Sequence, residues 1–150
     1  MKRWISTEID IDAPPAVVWK VLTDFPGYCM WNPTIKRIQG KAAVNACLWV
    51  SACLPCGLPM VFRPRLLEVR PEREIKWIGN LVIPGLIDGE HLFLIDPIDD
   101  FRTRFVQREE YHGILLPLLW KFLRDQGHRA FELMNQALKA EAERCYDCST

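Results

Sequence analysis

The sequence predicts an α+β protein in which a long C-terminal helix packs against an antiparallel sheet. Two observations lead to this prediction. Between residues 34 and 113, short apolar runs are separated by turn residues, which is typical of an antiparallel meander. After Gly113 the apolar residues recur every three or four positions as far as Arg144, which indicates a helix of roughly 45 Å. Because no other predicted element is this long, we expect the helix to lie across the sheet.

The N-terminal part of the chain predicts one strand followed by two short helices. Residues 7–12 alternate polar and apolar, which is the period of a half-buried strand. The acidic residue that ends this run precedes two prolines, a pattern that indicates a helix start, and we expect the helix over Pro15–Thr23. Pro26-Gly27 breaks it, and a second helical piece is predicted over Tyr28–Trp31.

The central part of the chain predicts six further strands. Each break between them contains at least one Gly, Pro, Asn or Asp, the residues that separate strands. Within one of the strands the apolar residues change faces near Leu66, which indicates a bulge or bend. The six strands are Ile35–Gly40, Ala46–Leu54, Met60–Val69, Ile75–Gly79, Gly89–Ile95 and Arg102–Tyr111.

Composition and charge narrow the classes of function. The 150 residues are 49% hydrophobic and 25% charged, so we expect one folded domain over residues 1–150. Lys plus Arg and Asp plus Glu both number 19, and a net charge of zero argues against nucleic acid as the partner. The N-terminus lacks the apolar run of a secretory signal, and no uncharged apolar stretch approaches the ~20 residues of a membrane span. We therefore expect a cytoplasmic protein with no integral membrane association.

Six cysteines include two pairs at C-x-x-C spacing. The pairs are Cys53 with Cys56 and Cys145 with Cys148. Without a secretory signal, free thiols are the expectation, because the cytosol keeps thiols reduced. The alternative that the spacing allows is one zinc ion held by four thiolates.

A series of short motifs runs from the first strand to the last. They are Ile11–Trp19 (IDAPPAVVW), Leu22-Thr23-Asp24, Tyr28, Trp31-Asn32-Pro33, Phe62-Arg63-Pro64, Leu67-Glu68-Val69, Trp77, Gly85–His91 (GLIDGEH) and Phe105-Val106-Gln107. Together with the long C-terminal helix, the series resembles the START-like superfamily over about residues 5–144. The closest group is its polyketide cyclase/dehydrase-like, or SRPBCC, branch.

The resemblance implies a helix-grip fold. In this fold a seven-stranded antiparallel sheet wraps around the C-terminal helix, two short helices follow the first strand, and a cavity lies between sheet and helix. Members bind lipids, sterols, polyketides or hormones, and some catalyse cyclisation or dehydration. The fold also places Cys53 and Cys145 at opposite ends of the long helix, which excludes a single zinc site made of all four thiolates. A disulfide within either pair, or an intermolecular site, stays open. We expect no metal and no other cofactor.

Period-two alternation assigns the strand residues that would face the cavity. The predicted inward wall consists of Trp77, His91, Phe93, Phe105, Gln107, Glu109 and Tyr111. Two further candidates are Arg63, which either binds a ligand carboxylate or lies at the surface, and Gly127, which either leaves room for a ligand or serves packing. The polar residues of the wall allow three interpretations: mutual hydrogen bonds, ligand recognition, or an acid/base pair of His91 and Glu109.

These observations predict a binding protein for a small, largely apolar molecule. One alternative is a cyclase, aromatase or dehydratase that uses His91 and Glu109 on a polyketide-like substrate. A second is a co-chaperone-like interaction domain, which would have a filled cavity and an exposed apolar patch. Leu92 and Leu94 lie on an otherwise acidic strand face, which allows a homodimer as well as a monomer.

Overall fold

The computed structural model describes residues 1–150, which form eight strands and three α-helices. The strands are β1 (Lys2–Ile11), β2 (Ile35–Gln39), β3 (Trp49–Cys53), β4 (Pro59–Phe62), β5 (Arg65–Arg70), β6 (Glu74–Asn80), β7 (Asp88–Pro97) and β8 (Thr103–His112). The helices are α1 (Pro15–Thr23), α2 (Tyr28–Trp31) and α3 (Leu116–Ser149). None of the helices combines the length and the apolar character that crossing a bilayer requires.

The strands form two antiparallel sheets. The large sheet has five strands in the order β1-β8-β7-β6-β5, and the small sheet has three in the order β2-β3-β4. The α+β class and the long C-terminal helix on an antiparallel sheet are confirmed. The prediction of seven strands in one sheet is wrong in both the number of strands and the number of sheets.

The extra strand arises because the predicted strand Met60–Val69 is two strands. The chain pairs with β3 up to Phe62 and with β6 from Arg65 onwards. Pro64 lies between these two segments and has no N–H to donate, so it cannot continue a central ladder. The change of apolar face near Leu66 therefore marks the passage from the small sheet to the large one, followed by a register shift between Leu66 and Glu68.

The segment before β3 connects the two sheets. The sequence predicts a strand over Ala46–Leu54, whereas β3 begins only at Trp49. The amide of Leu48 donates to the carbonyl of Pro64 at 2.8 Å, and the amide of Leu66 donates to the carbonyl of Ala46 at 2.9 Å. These bonds fasten the small sheet to the edge of the large sheet at β5.

Helix α3 lies against the large sheet and has 34 residues, which corresponds to about 51 Å. Its buried residues recur mainly at the three- and four-residue spacing of one helix face. Towards its C-terminal end, Met134, Leu138 and Ala142 belong to the main core, which also contains the buried face of α1. Nearer its start, Ala130 and Phe131 belong to a smaller core cluster with Tyr111. Both clusters border the cavity described below.

Candidate functional site

A cavity of about 360 Å³ lies between the two sheets and the N-terminal half of α3. This volume is within the ~300–1,000 Å³ range of small-molecule sites. Of the 26 residues that line it, 17 are hydrophobic, so a bound molecule would mainly contact apolar side chains. No Lys, Arg or Asp lines the cavity, and Glu109 is its one acidic residue.

The mouth of the cavity lies between the β3–β4 turn and α3. Leu58 in the turn and Phe122 on α3 both line the cavity, and they are 49% and 43% exposed. The backbone amide of Cys56 donates to Oε1 of Gln126 at 2.9 Å, which ties the turn to the helix at this place. An apolar molecule would therefore meet apolar side chains as it enters.

The polar end of the cavity is built on neighbouring strands of the large sheet. Trp77 on β6 pairs with His91 on β7, and His91 pairs with Glu109 on β8, so the three side chains share one face. The His91 ring packs against the rings of Phe93 and Phe131, at centroid distances of 4.1 Å and 4.7 Å. Burial among these rings disfavours the charged imidazolium and lowers the pKa of His91 to about 3.

A chain of side-chain amides determines which nitrogen of His91 carries hydrogen. The Gln107 amide nitrogen donates to the carbonyl of Phe131 at 3.2 Å and to Oδ1 of Asn135 at 2.6 Å. Asn135 in turn donates to Oγ1 of Thr7 at 3.0 Å. Oε1 of Gln107, 3.1 Å from Nε2 of His91, can therefore only accept. This assigns the hydrogen to Nε2 and leaves Nδ1 of His91 with a free lone pair.

Glu109 presents a buried carboxyl group next to that lone pair. Its Oε2 atom accepts a hydrogen bond of 2.7 Å from the hydroxyl of Tyr111 and lies 3.6 Å from Nδ1 of His91. Burial raises the pKa of Glu109 to about 7, although the bond from Tyr111 acts in the opposite direction. Burial and the neighbouring Glu109 both raise the pKa of Tyr111. Glu109 therefore gains or loses its proton near neutral pH, whereas His91 stays neutral.

Two glycines make room for this arrangement. A Cβ atom on Gly89 would lie 2.5 Å from Oε1 of Glu109, so a larger residue at this position would push the carboxyl group away. A Cβ atom on Gly127 would lie 2.8 Å from Cδ1 of Ile5, and 3.5 Å from the hydroxyl oxygen of Tyr111. Gly127 thus allows α3 to approach β1 closely while it also lines the cavity.

The structure places all of the predicted site residues except Arg63 in two groups. The larger group lines the cavity and consists of Trp77, His91, Gln107, Glu109, Tyr111 and Gly127. Phe93 and Phe105 face the same side of the sheet but are buried in the core beyond the cavity wall. Arg63 is exposed and outside the lining, because it lies where the chain passes from β4 to β5.

Several residues of the site were not predicted from the sequence. Asn135 and Thr7 complete the amide chain, Gly89 accommodates the Glu109 carboxyl group, and Met134 and Cys53 line the cavity. A polar residue on a buried helix face was the available signal for Asn135. A glycine inside an alternating strand was the signal for Gly89.

The cysteines do not come together. All six are free thiols. Cys53 lines the cavity and Cys56 is exposed in the adjacent turn, whereas Cys145 and Cys148 lie in the last turns of α3. No group of three or more His, Cys, Asp and Glu side chains is arranged to hold a metal ion.

Comparison with known proteins places this fold in a family. Residues 3–143 match the family described as polyketide cyclase/dehydrase and lipid transport. A comparison with curated proteins found no match.

Several solved structures share the fold. The Zhui aromatase/cyclase from Streptomyces sp. R1128 superposes with a TM-score of 0.81 at 18% identity, covering 96% of this chain and 95% of that chain. A START superfamily protein from Mycobacterium smegmatis gives 0.76 at 19% identity, with 98% and 99% covered. A point mutant of the norcoclaurine synthase from Thalictrum flavum gives 0.72 at 13% identity, with 97% and 96% covered. With the family match, these similarities show that the chain belongs to the polyketide cyclase/dehydrase-like branch of the START-like (SRPBCC) superfamily.

Proposed function

We propose that this protein binds a small, largely apolar molecule in the cavity between the sheets and α3. The observation that carries the proposal is the division of the cavity into apolar walls and one polar end. Apolar contact supplies affinity at roughly 25 cal/mol per Å² of buried surface. The cluster of His91, Gln107, Glu109 and Tyr111 supplies the few polar contacts that orient a ligand.

Two further observations support this proposal. The description of the matching family includes lipid transport, which is compatible with an apolar ligand. The interaction-domain alternative requires a filled cavity, whereas the space here is about 360 Å³ and opens to solvent beside Leu58 and Phe122.

Native mass spectrometry of the protein purified from its own host tests the proposal. We expect an additional mass on the wild-type protein that is lost on denaturation and can be identified after extraction. The matched control is Ala130→Phe, because Ala130 lines the cavity from α3 and a larger ring there would occupy it. A folded control variant should carry no additional mass. The bare protein mass in the wild type, or the same additional mass in both proteins, would contradict the proposal.

The second candidate function is acid/base catalysis in the same cavity. It is favoured by the position of Glu109, a carboxyl group with a pKa of about 7 that borders the cavity. A group that gains and loses a proton near neutral pH is suited to transfer one in a dehydration or cyclisation. His91 would stay neutral and accept a hydrogen bond from the substrate at Nδ1, which positions the substrate beside Glu109. The substrate class is a polyketide-like molecule with reactive carbonyl groups.

Turnover of a short poly-β-ketone thioester tests this second candidate. Glu109→Gln keeps the shape of the side chain but cannot transfer a proton, so we expect it to abolish product formation while ligand binding persists. His91→Phe should also stop the reaction. If both variants form product at the wild-type rate, the catalytic function is wrong and the binding function still stands.

A further inference from the structure

When Glu109 is ionised, the polar end of the cavity contains two hydrogen-bond acceptors with no hydrogen between them. The amide chain through Gln107 places the His91 hydrogen on Nε2, so Nδ1 is an acceptor. Oε2 of Glu109 lies 3.6 Å away and, when the carboxyl group is ionised, is an acceptor as well. The hydroxyl of Tyr111 donates its hydrogen to Oε2, so Nδ1 of His91 has no hydrogen-bond donor. The site lacks a donor that could reach both atoms.

No cation lies close enough to Glu109 to influence its pKa. Arg3, on the same face of β1, places its guanidinium over the ring of Trp120 instead. From β1 the register neighbour is Ile5, and from β7 the neighbours are Gly89 and His91. On β8 itself the contact is Tyr111. Helix α3 contributes Gly127, which lies beside the Tyr111 hydroxyl, and Phe131, which packs on the His91 ring, and β6 contributes Trp77, which also packs on His91. Of these neighbours of Glu109 only His91 and Tyr111 can titrate, and neither supplies a cation at neutral pH.

The charge of a ligand therefore decides how well it fits. An anionic head group would meet the Glu109 carboxyl group with no cation to balance it. A neutral ligand would exclude water from Glu109 and leave the unbalanced charge buried, unless the carboxyl group keeps its proton. A cation with several N–H groups would both balance the carboxylate and supply the missing donor.

We propose that the ligand is a hydrophobic amine, bound as its cation with its N–H groups donating to Oε2 of Glu109 and Nδ1 of His91. Nδ1 of His91 and Oε2 of Glu109 are 3.6 Å apart. A single nitrogen atom that forms a triangle with them can therefore lie within hydrogen-bond distance of both. The apolar body of the molecule then fills the space towards Phe122 and Leu58. This inference rests on the proposed binding function and specifies the ligand class.

Calorimetric titration with three probes of nearly equal shape tests the inference. The probes are naphthylmethylamine, naphthylmethanol and naphthoate, which are cationic, neutral and anionic at about pH 8. We expect the amine to bind the full chain at least about tenfold more tightly than the alcohol, as a charge-assisted hydrogen bond allows, and naphthoate to bind weakest. The advantage of the amine should grow between about pH 6 and pH 8 as Glu109 ionises.

Two variants assign the preference to its source. In Glu109→Gln the advantage of the amine over the alcohol should disappear, while the alcohol still binds. Glu132→Gln is the matched control, because Glu132 lies exposed on α3 and outside the cavity. This variant should bind the amine more tightly than the alcohol by the same factor as the wild-type protein.

The outcomes separate this inference from the function on which it rests. If the alcohol binds as tightly as the amine, or if Glu109→Gln keeps the preference, the amine is not the ligand class and the binding function stands. If none of the three probes binds the wild-type protein, both proposals are wrong.

Discussion

Oε1 of Gln107 lies 3.1 Å from Nε2 of His91 and accepts its hydrogen. Both hydrogens of the Gln107 amide are already donated, to Phe131 and to Asn135. A side chain on β8 thus holds the imidazole on β7 in one tautomer and turns its free lone pair towards Glu109. The chemistry of the cavity depends on this relationship, because it decides whether His91 offers an acceptor or a donor to a ligand.

The tautomer of His91 can be observed directly. Nitrogen-15 NMR should show the His91 ring neutral and protonated at Nε2 between about pH 5 and pH 8, because burial holds its pKa near 3. Gln107→Leu removes the acceptor for the Nε2 hydrogen, so the spectrum of this variant should show a mixture of the two neutral tautomers of His91. The variant should also be less stable by about 2 kcal/mol, because Asn135 loses a buried partner. A wild-type His91 ring that gains a positive charge between about pH 5 and pH 8 would contradict this account.

The free energy of unfolding should depend on pH because of Glu109. Its pKa is about 7 in the folded protein, compared with an ordinary value of 4.5. Between these values the folded protein keeps the proton that the unfolded chain has released, so the contribution of Glu109 falls as pH rises through the interval. The loss should be on the order of 3 kcal/mol, at about 1.4 kcal/mol per pKa unit. His91 has the opposite sign: its pKa falls from 6.5 to about 3, so its contribution rises with pH over that interval.

Because these two effects overlap, the comparison with Glu109→Gln is the informative one. From about pH 4.5 to pH 7.5, the free energy of unfolding of the variant should increase relative to wild type by about 3 kcal/mol, as measured by urea unfolding. The exposed substitution Glu132→Gln should show no such trend. A constant difference between wild type and Glu109→Gln across this range would mean that Glu109 has an ordinary pKa.

Gly89→Ala should move the Glu109 carboxyl group without unfolding the protein. The new methyl group would lie 2.5 Å from Oε1, and the end of a flexible side chain can move away from it. We expect a small loss of stability and a weaker bond from Tyr111. Because that bond lowers the pKa of Glu109, carbon-13 NMR should show a Glu109 pKa above the wild-type value. Gly79→Ala on β6 is the matched control, because its methyl group would lie 3.5 Å from Phe62, an ordinary contact. Equal Glu109 pKa values in the two variants would contradict the proposed role of Gly89.

The cysteines provide an internal footprint of ligand binding. Cys53 lines the cavity, whereas Cys56 is exposed three residues away and outside the lining. A bound ligand should slow the alkylation of Cys53 by iodoacetamide at least about tenfold and leave Cys56 unchanged. Peptide mass spectrometry at several reaction times measures both rates. Equal protection of the two thiols would indicate a closing of the β3–β4 turn, and no protection would place the ligand elsewhere.

The sequence predicted the polar wall because β7 and β8 alternate without a bulge. From His91 to Ile95 and from Phe105 to Tyr111, period two assigns every face correctly, and the ladder between the strands is unbroken. The same method failed over Met60–Val69, because the apolar pattern continues through Pro64 while the chain changes sheets. Periodicity describes one strand at a time and does not show which sheet the strand joins.

Hydrogen bonds between side chains that are distant in the sequence could not be predicted either. Gln107 and Asn135 are 28 positions apart and meet because α3 crosses β8 at one place. The axial position and rotation of a helix on a sheet depend on close packing, here on the contact of Gly127 with Ile5. Arg63 belongs to the Phe62-Arg63-Pro64 motif and is nevertheless exposed to solvent, because it lies in the segment where the chain passes from the small sheet to the large one.

Methionine methyl NMR tests the central claim, that the cavity binds a small apolar molecule. The chain has four methionines: Met60 and Met134 line the cavity, and Met1 and Met30 are exposed and outside the lining. When naphthylmethanol is added, we expect saturable shifts of the Met60 and Met134 methyl resonances and none for Met1 and Met30. Shifts at Met1 or Met30 alone, or no shift at any methyl group, would contradict the account.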